Sequence, residues 1–334
     1  MKKYLLENQG FPMSVDYAMD LRAMNNGLSD SWYFKAEFVS EGKELGFTWH
    51  PMVQYVDGAP FMSIESNLMN ASDNIWLNNS AMFPMDNEKN CANTERMDVR
   101  CEWGVMTGDE KRMSLDAAFN GNEIHMTFDA SGEILFNAAT GLLRLGNSGS
   151  LQYSFPSMKM NGTFIMQGHA YSVKDAVAWF DRQYSMLFDP AKGVTFAPGQ
   201  NSWLWIGQSQ LKDGKAAVSL WDIYSKNARY AFATFAREDG SQINANCEIT
   251  YDKIWSSKAS GHSYPDVICV KCPQEDYEMT FTCLDTGHSA EFVHEKVKAM
   301  SGVQCLYRAR GRYKGVKIDS VNDVEMIGDL CGEN

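Results

Sequence analysis

Two stretches half a chain apart follow one pattern. Residues 30–49 run D-S-W-Y-F-K-A-E-F-V-S-E-G-K-E-L-G-F-T-W, and residues 201–221 run N-S-W-L-W-I-G-Q-S-Q-L-K-D-G-K-A-A-V-S-L-W. Trp32 aligns with Trp203, the turn pair Gly42-Lys43 with Gly214-Lys215, and Trp49 with Trp221. The offset is 171 residues before the turn and 172 after it, close to half of the 334-residue chain. Self-similarity at so long a period is a mark of duplicated architecture. It points to two β-domains on one plan, each opening with a tryptophan-bearing hairpin.

The rest of the chain supports sheet. Trp32, Phe34, Ala36 and Phe38 alternate with Tyr33, Lys35 and Glu37, and Ser40-Glu41-Gly42-Lys43 closes the run as a turn. Further hairpins are expected over 123–136, turning at Ala130-Ser131-Gly132, over 158–173, turning near Gly168, and at Asp213-Gly214. Short helices are expected from Asp109 to Phe119, Val173 to Tyr184 and Ala290 to Met300. Many short strands with regular turns imply an all-β chain. The expected architecture is two tandem antiparallel β-barrel domains with few short helices. The Gly146-Asn147-Ser148-Gly149-Ser150 cluster marks the joint, dividing the chain into residues 1–155 and 156–334. A barrel of about eight to ten strands has room for one small ligand.

Composition narrows the partner. With 30 Lys and Arg against 42 Asp and Glu, the net charge of −12 argues against nucleic acid and anionic membranes. No stretch has membrane-spanning length, and Met1 to Asn8 lacks the apolar centre of a signal peptide. The sequence reads as cytoplasmic, a monomer or a homodimer. An aromatic share of 12% and 20 Met residues fit an irregular apolar pocket for a hydrophobic small molecule. Of the eight cysteines, Cys269 and Cys272 have metal-knuckle spacing, followed by Cys283, His288, His294 and Cys305. No second C-x-x-C completes a zinc pattern, and residues three apart on a strand face opposite ways. Reduced, buried thiols and no metal are expected.

The densest mixture of aromatic and ionisable residues is Trp179-Phe180-Asp181-Arg182-Gln183-Tyr184. With Tyr153-Ser154-Phe155-Pro156 before it and Trp203-Leu204-Trp205 and Trp221-Asp222 after it, this arrangement resembles one family. That family joins carotenoid 1,2-hydratases, kievitone-hydratase-like and AttH-like proteins and decalin-forming Diels–Alderases. Asp30-Ser31-Trp32-Tyr33-Phe34 resembles its E-W-W-Y-F segment, and 309–328 its closing G-x-G-Y-x-E-L-x-G strand. The resemblance spans about residues 28–328. It implies tandem lipocalin-like barrels acting without organic cofactor or metal on large apolar molecules. Arg182 stands where many relatives carry His, and Tyr184-Ser185 where they carry Trp-Gly. An imidazole mechanism at that point is therefore in question.

Hydrating, dehydrating, isomerising or cyclising an unsaturated molecule needs a proton donor and aromatic faces around a cation. A carboxyl kept neutral by an apolar pocket can be that donor. Asp222, flanked by Trp221, Ile223 and Tyr224, is the first candidate and Asp181 the second. Arg182 would polarise a carbonyl, or would pair with Asp181 as a structural bridge. His50, one residue past Trp49 as Asp222 is past Trp221, would assist, as would Tyr184. Trp32, Phe34, Trp49, Trp179, Trp203, Trp205, Trp221 and Tyr224 would form the substrate wall, or plain core. The alternative function is a non-catalytic carrier or sensor of a lipophilic ligand.

Overall fold

In the computed structural model, the described residues are 12–25, 29–56, 58–86, 88–145, 148–187, 201–212, 214–225, 228–295 and 297–332. The first eight residues, Gly146-Asn147 of the expected joint and Asp213 of the expected turn lie outside them. The chain is almost entirely antiparallel strand. It opens with a four-residue helix, α1 (Tyr17–Asp20), and a meander of β1 (Asp30–Ser40), β2 (Lys43–Val56), β3 (Ala59–Asn70) and β4 (Ile75–Pro84). A second run follows: β5 (Cys91–Ala92), β6 (Met97–Cys101), β7 (Gly104–Gly108), β8 (Arg112–Phe119) and β9 (Asn122–Ala130). Next come β10 (Leu135–Phe136), β11 (Leu142–Leu145) and the long hairpin β12 (Ser148–Met166) and β13 (His169–Leu187).

These 13 strands form one curled sheet in the order β4-β3-β2-β1-β13-β12-β9-β8-β7-β6-β5, with β10 and β11 on β12. The second sheet begins with β14 (Asn201–Leu211), β15 (Ala216–Ser225), β16 (Ala228–Ala236) and β17 (Gln242–Asn246). It continues with β18 (Glu248–Ser256), β19 (Ser263–Cys272), β20 (Tyr277–Cys283), β21 (Glu291–Phe292), β22 (Gly302–Tyr313) and β23 (Val316–Ile327). Its order is β17-β16-β15-β14-β23-β22-β20-β19-β18, with β21 on β22. Both sheets share a plan: a four-strand meander whose first strand pairs with the last strand of the sheet. Residue 155 falls inside β12, and the change of sheet comes between Leu187 and Asn201.

The strand order repeats, but the sequence match is slipped by one residue on each strand. Trp32 and Trp49 are buried inside the first barrel, whereas Trp203 and Trp221 lie between the two sheets. The inward cross-strand pair Phe34–Trp49 corresponds instead to Ile206–Leu220. A one-residue slip turns a side chain to the other face of the sheet.

Two of the expected helices are strands. Met113, Leu115, Ala117 and Phe119 alternate into the core along β8. The region 173–184 belongs to β13, whose Phe180 faces the first barrel while Trp179 faces the second sheet. A strand covered on both faces reads as a continuous apolar run, which periodicity cannot tell from a helix. Residues 290–300 hold β21 and a single 3-10 turn, Lys298–Met300. The turns at Glu41-Gly42 and Gln167-Gly168 close the expected hairpins, each with positive φ at both positions. After Ala130, however, the chain crosses to β12 rather than turning back on β9.

Each barrel is filled. Trp32, Phe34, Phe47, Trp49, Phe128 and Phe180 pack the first, and Leu204, Ile206, Leu220, Phe235 and Phe281 the second. Cys247 and Cys272 form a disulfide, contrary to the expectation of reduced thiols throughout. The register that brings the start of β18 to the end of β19 places them together, which their separation of 25 residues does not reveal. Among the described residues no helix is long and apolar enough to cross a membrane.

Candidate active site

Between the two packed cores, buried polar and charged side chains collect in the seam between the sheets. Alternation along β1 sends Trp32, Phe34 and Ala36 into the first barrel and Tyr33, Lys35 and Glu37 outward. The outward face is not solvated, because β14, β22 and β23 of the second sheet cover it. Lys35 has no exposed side-chain surface and Glu37 only 12%. Lys35 Nζ donates to Glu37 Oε1 at 2.5 Å and lies 5.5 Å from the centre of the Trp205 ring. Glu37 also accepts the backbone N–H of Asp323 at 2.7 Å, which ties β1 to β23.

Besides Glu37, three buried or half-buried carboxyls meet in this seam. Asp323 Oδ2 accepts the Tyr33 hydroxyl at 3.2 Å and the Gln304 amide, while its buried Oδ1 has no hydrogen-bond partner. Burial pushes Asp323 up to about 7 against the opposing pull of Lys35. Glu325, two residues along the same face, accepts the Trp203 indole N–H on Oε1 at 2.8 Å. Burial pushes it to about 7 as well, with the charges of Asp323, Glu65 and Asp181 acting in the same direction. Asp181, on β13, is raised by burial to only about 6, because donors from Ser154, Trp179 and Gln152 favour its charged form. The Trp179 indole reaches Asp181 Oδ1 at 2.6 Å and the Gln152 amide reaches Oδ2 at 3.2 Å.

Aromatic rings wall the seam. The Trp205 ring centre stands 5.6 Å from Tyr33, 5.9 Å from Trp179 and 6.2 Å from Trp221. At the rim, His50 packs edge-on to Tyr33 at 5.0 Å, and its Nε2 is 2.7 Å from the Ser31 hydroxyl. Burial lowers His50 to about 4, so the imidazole is neutral near pH 7. Glu65 lies opposite it across β2 and β3 and is likewise raised by burial. His50, Glu65 and Glu325 keep some exposure, which makes the rim the accessible part of the seam. A separate cleft of about 720 Å³ opens at the first barrel near Asp86, Arg96, Asp98 and Arg100. Two of its acids are held in the charged form: backbone N–H groups lower Asp86 to about 2, and Arg100 lowers Asp98. Carboxyls in that state make poor proton donors, so these two residues are poorly suited to acid catalysis.

The sequence profile of AttH-like proteins matches residues 11–293. The chain belongs to the AttH-like family. Over 242 residues it is 26% identical to the dehydratase asqC of Emericella nidulans, covering 67% of this chain and 63% of that protein. Kievitone hydratase of Fusarium solani subsp. phaseoli is 21% identical over 269 residues, 77% of this chain and 71% of its own. The crystal structure of kievitone hydratase from Nectria haematococca superposes with a TM-score of 0.76 at 15% identity, covering 98% of each chain. That likeness establishes the fold: two curled antiparallel sheets, as the repeat implied.

In this AttH-like chain the expected site residues separate into three places. Asp181, His50, Trp179, Trp203, Trp205 and Trp221 meet at the seam. Trp32, Phe34 and Trp49 are core of the first barrel. Asp222 lies inside the second barrel, where Arg229 holds both its oxygens and Tyr251 donates a further bond, so it acts there as an acceptor. Tyr224 packs on Arg229 beside it, 4.9 Å from the guanidinium. Arg182 and Asp181 point to opposite faces, as neighbours on a strand must. Arg182 is fully buried at the end of the first barrel. There it pairs with Asp30 at 2.5 Å and donates to the carbonyls of Asp20, Arg22, Ser31 and Gln183. Tyr184 donates to Asp20 in the same corner.

The sequence reading missed Tyr33, Lys35, Glu37, Glu65, Gln304, Asp323 and Glu325. One signal was present. Asp323-Val324-Glu325 puts two acids on one face of the closing strand, an unusual pattern for a strand between apolar neighbours.

Proposed function

We propose that this AttH-like protein is an enzyme that adds water to, or removes it from, an apolar unsaturated small molecule at the seam. Glu325 is the proton donor. Its Oε1 accepts from Trp203, so Oε2 is free to carry the proton, and it is the carboxyl of the trio that reaches the rim. In hydration, Glu325 would protonate one alkene carbon and the resulting cation would rest against the Trp203 and Trp205 rings. Water would then bond to the cation and pass a proton to the neutral His50 imidazole. Dehydration runs the same steps backward: protonated His50 gives its proton to the leaving hydroxyl, water departs, and the Glu325 carboxylate takes a proton from the neighbouring carbon.

The observation that carries this reading is a carboxyl flanked by an indole donor and two further acids on an apolar, aromatic wall. The names of the two curated relatives, a dehydratase and a hydratase, support the same chemistry. The reading also divides the chain at the change of sheet, with one domain ending at Leu187 and the next beginning at Asn201. To test it, the purified protein is incubated with kievitone and with other prenylated phenols and polyenes in heavy-oxygen water. Incorporation of labelled oxygen, read by mass spectrometry, supports it. Recovery of a tightly bound, chemically unchanged ligand with no incorporation would replace it with a carrier.

A further inference from the structure

One segment between the sheets has a conformation that its sequence does not favour. Ala138 and Ala139 both adopt the left-handed region, with φ of 56° and 60°, which L residues without special side chains adopt at an energetic cost. They follow Asn137, which has no exposed surface. The segment is docked on the second sheet by Gln242, which accepts the Phe136 N–H at 2.9 Å and donates to the Ile134 carbonyl at 2.5 Å. Strain held next to a buried polar residue is a reason to ask what that residue does.

Its hydrogen bonds have a fixed direction. The Trp221 indole can only donate, and it reaches Asn137 Oδ1 at 3.1 Å. Ser219 Oγ donates to the same oxygen at 2.6 Å and itself accepts from the Trp205 indole at 3.1 Å. The amide oxygen must therefore face the second sheet, which turns Nδ2 toward Ser154 Oγ at 3.1 Å. Ser154, accepting from Asn137, gives its own proton to Asp181. We infer that Asn137 is a positioning residue of the seam: its amide turns the Ser154 hydroxyl onto Asp181 and fixes that carboxyl as an acceptor.

The consequence is a division of labour among acids. Asp181 receives three donors across its two oxygens, whereas Asp323 has a bare oxygen and Glu325 a single indole bond. Environments that separate the ionisation of neighbouring carboxyls assign one as charge and another as acid. The other groups facing Asp181 are Lys35 and Tyr33 from β1 and Glu325 from β23. Lys35 favours the charged form of Asp181 and Glu325 opposes it, so the relay adds to what these local charges supply. A charged Asp181 in turn helps Glu325 keep its proton, and in this respect the inference rests on the proposed hydration chemistry.

The relay can be tested without a substrate. The protein is labelled with carbon-13 at aspartate carboxyls and titrated by NMR, with Asp181→Asn assigning the signal. Ser154→Ala removes the donor, and Asn137→Asp removes the amide that orients it. Both are expected to raise the Asp181 midpoint by about one pH unit, roughly a tenfold gain in proton affinity. Ser154→Thr, which restores a hydroxyl, is expected to return the midpoint toward wild type. An unchanged midpoint in folded Ser154→Ala would overturn the inference even if stability falls, since a packing role alone leaves the titration alone. Absence of turnover in the labelled-oxygen assay would defeat the hydration reading and leave this result intact.

Discussion

Arg229 grips Asp222 through two parallel hydrogen bonds, 2.9 Å to Oδ1 and 2.7 Å to Oδ2. Asp222 is fully buried, while 42% of the Arg229 side chain reaches water. A forked pair of this kind occupies both carboxylate oxygens and faces them away from the seam. Asp222→Asn is therefore expected to cost about 2 kcal/mol of stability. That is less than the roughly 3–5 kcal/mol of a fully buried pair, because the orphaned guanidinium can still be hydrated. Urea unfolding measures the loss. The folded variant should turn over at close to the wild-type rate; a collapse of rate at unchanged stability would return the donor role to Asp222.

Glu325→Gln makes the opposite separation. The amide oxygen keeps the bond from Trp203 and the side chain keeps its size, so folding should be little affected. What disappears is the acid proton. Loss of a general acid lowers rates by about 10² to 10⁴, and the fall should appear in kcat rather than KM. A kcat within a few-fold of wild type would remove Glu325 from the mechanism.

The architecture was legible where its signals are local. Alternation and the turns at Glu41-Gly42 and Gln167-Gly168 depend on neighbours in sequence, and they found many of the strands and two hairpins, though not β8 or the second half of β13. The site depends on which face of a strand is covered, and alternation alone does not decide that. Lys35 and Glu37 look like a solvated face of β1 until a second sheet lies over them. Asp222 looks like an acid in an aromatic pocket until the register of β15 and β16 brings Arg229 against it from seven residues away. Glu325 acquires its partner Trp203 from 122 residues away, through the pairing of the first and last strands of its sheet.

The seam makes stability depend on pH in a direction opposite to that of a salt-bridged acid. Burial raises Glu325 and Asp323 to about 7 and Asp181 to about 6 in the folded chain. Unfolded, they titrate near the ordinary carboxyl value of about 4. Between about pH 4 and pH 7 the folded state holds more protons, so the contribution is full below pH 4 and lost as pH rises through 7. His50 works the other way: lowered to about 4, its contribution is present above about 6.5 and lost as pH falls through 4. With these three carboxyls, and Glu65 raised in the same direction, against one imidazole, the melting temperature should fall from pH 5 to pH 8. Glu325→Gln and Asp323→Asn should each flatten that fall, and turnover should decline above about pH 7 as Glu325 loses its proton. A wild-type melting temperature that rises over the range would show the carboxyls to be ionised throughout.

Gly207 provides the most sensitive probe of how closely the sheets must approach. A Cβ at this position would stand 3.1 Å from the Trp179 ring and 3.2 Å from the Lys35 side chain, both from the opposite sheet, and 2.9 Å from Trp205. None of the three can easily give way: Trp179 is held by its bond to Asp181, Lys35 by Glu37, and Trp205 by Ser219. Gly207→Ala should therefore cost about 1–3 kcal/mol through overpacking. It should also shift Trp179, and with it the donor set on Asp181. The same substitution at Gly214, whose added Cβ meets no atom within 4 Å but whose φ is +82°, would strain the backbone without touching the seam. If the seam is the site, the two variants can be equally destabilised yet differ in rate, with Gly207→Ala slower by tenfold or more. Equal rates at matched stability would show that this close approach serves packing alone.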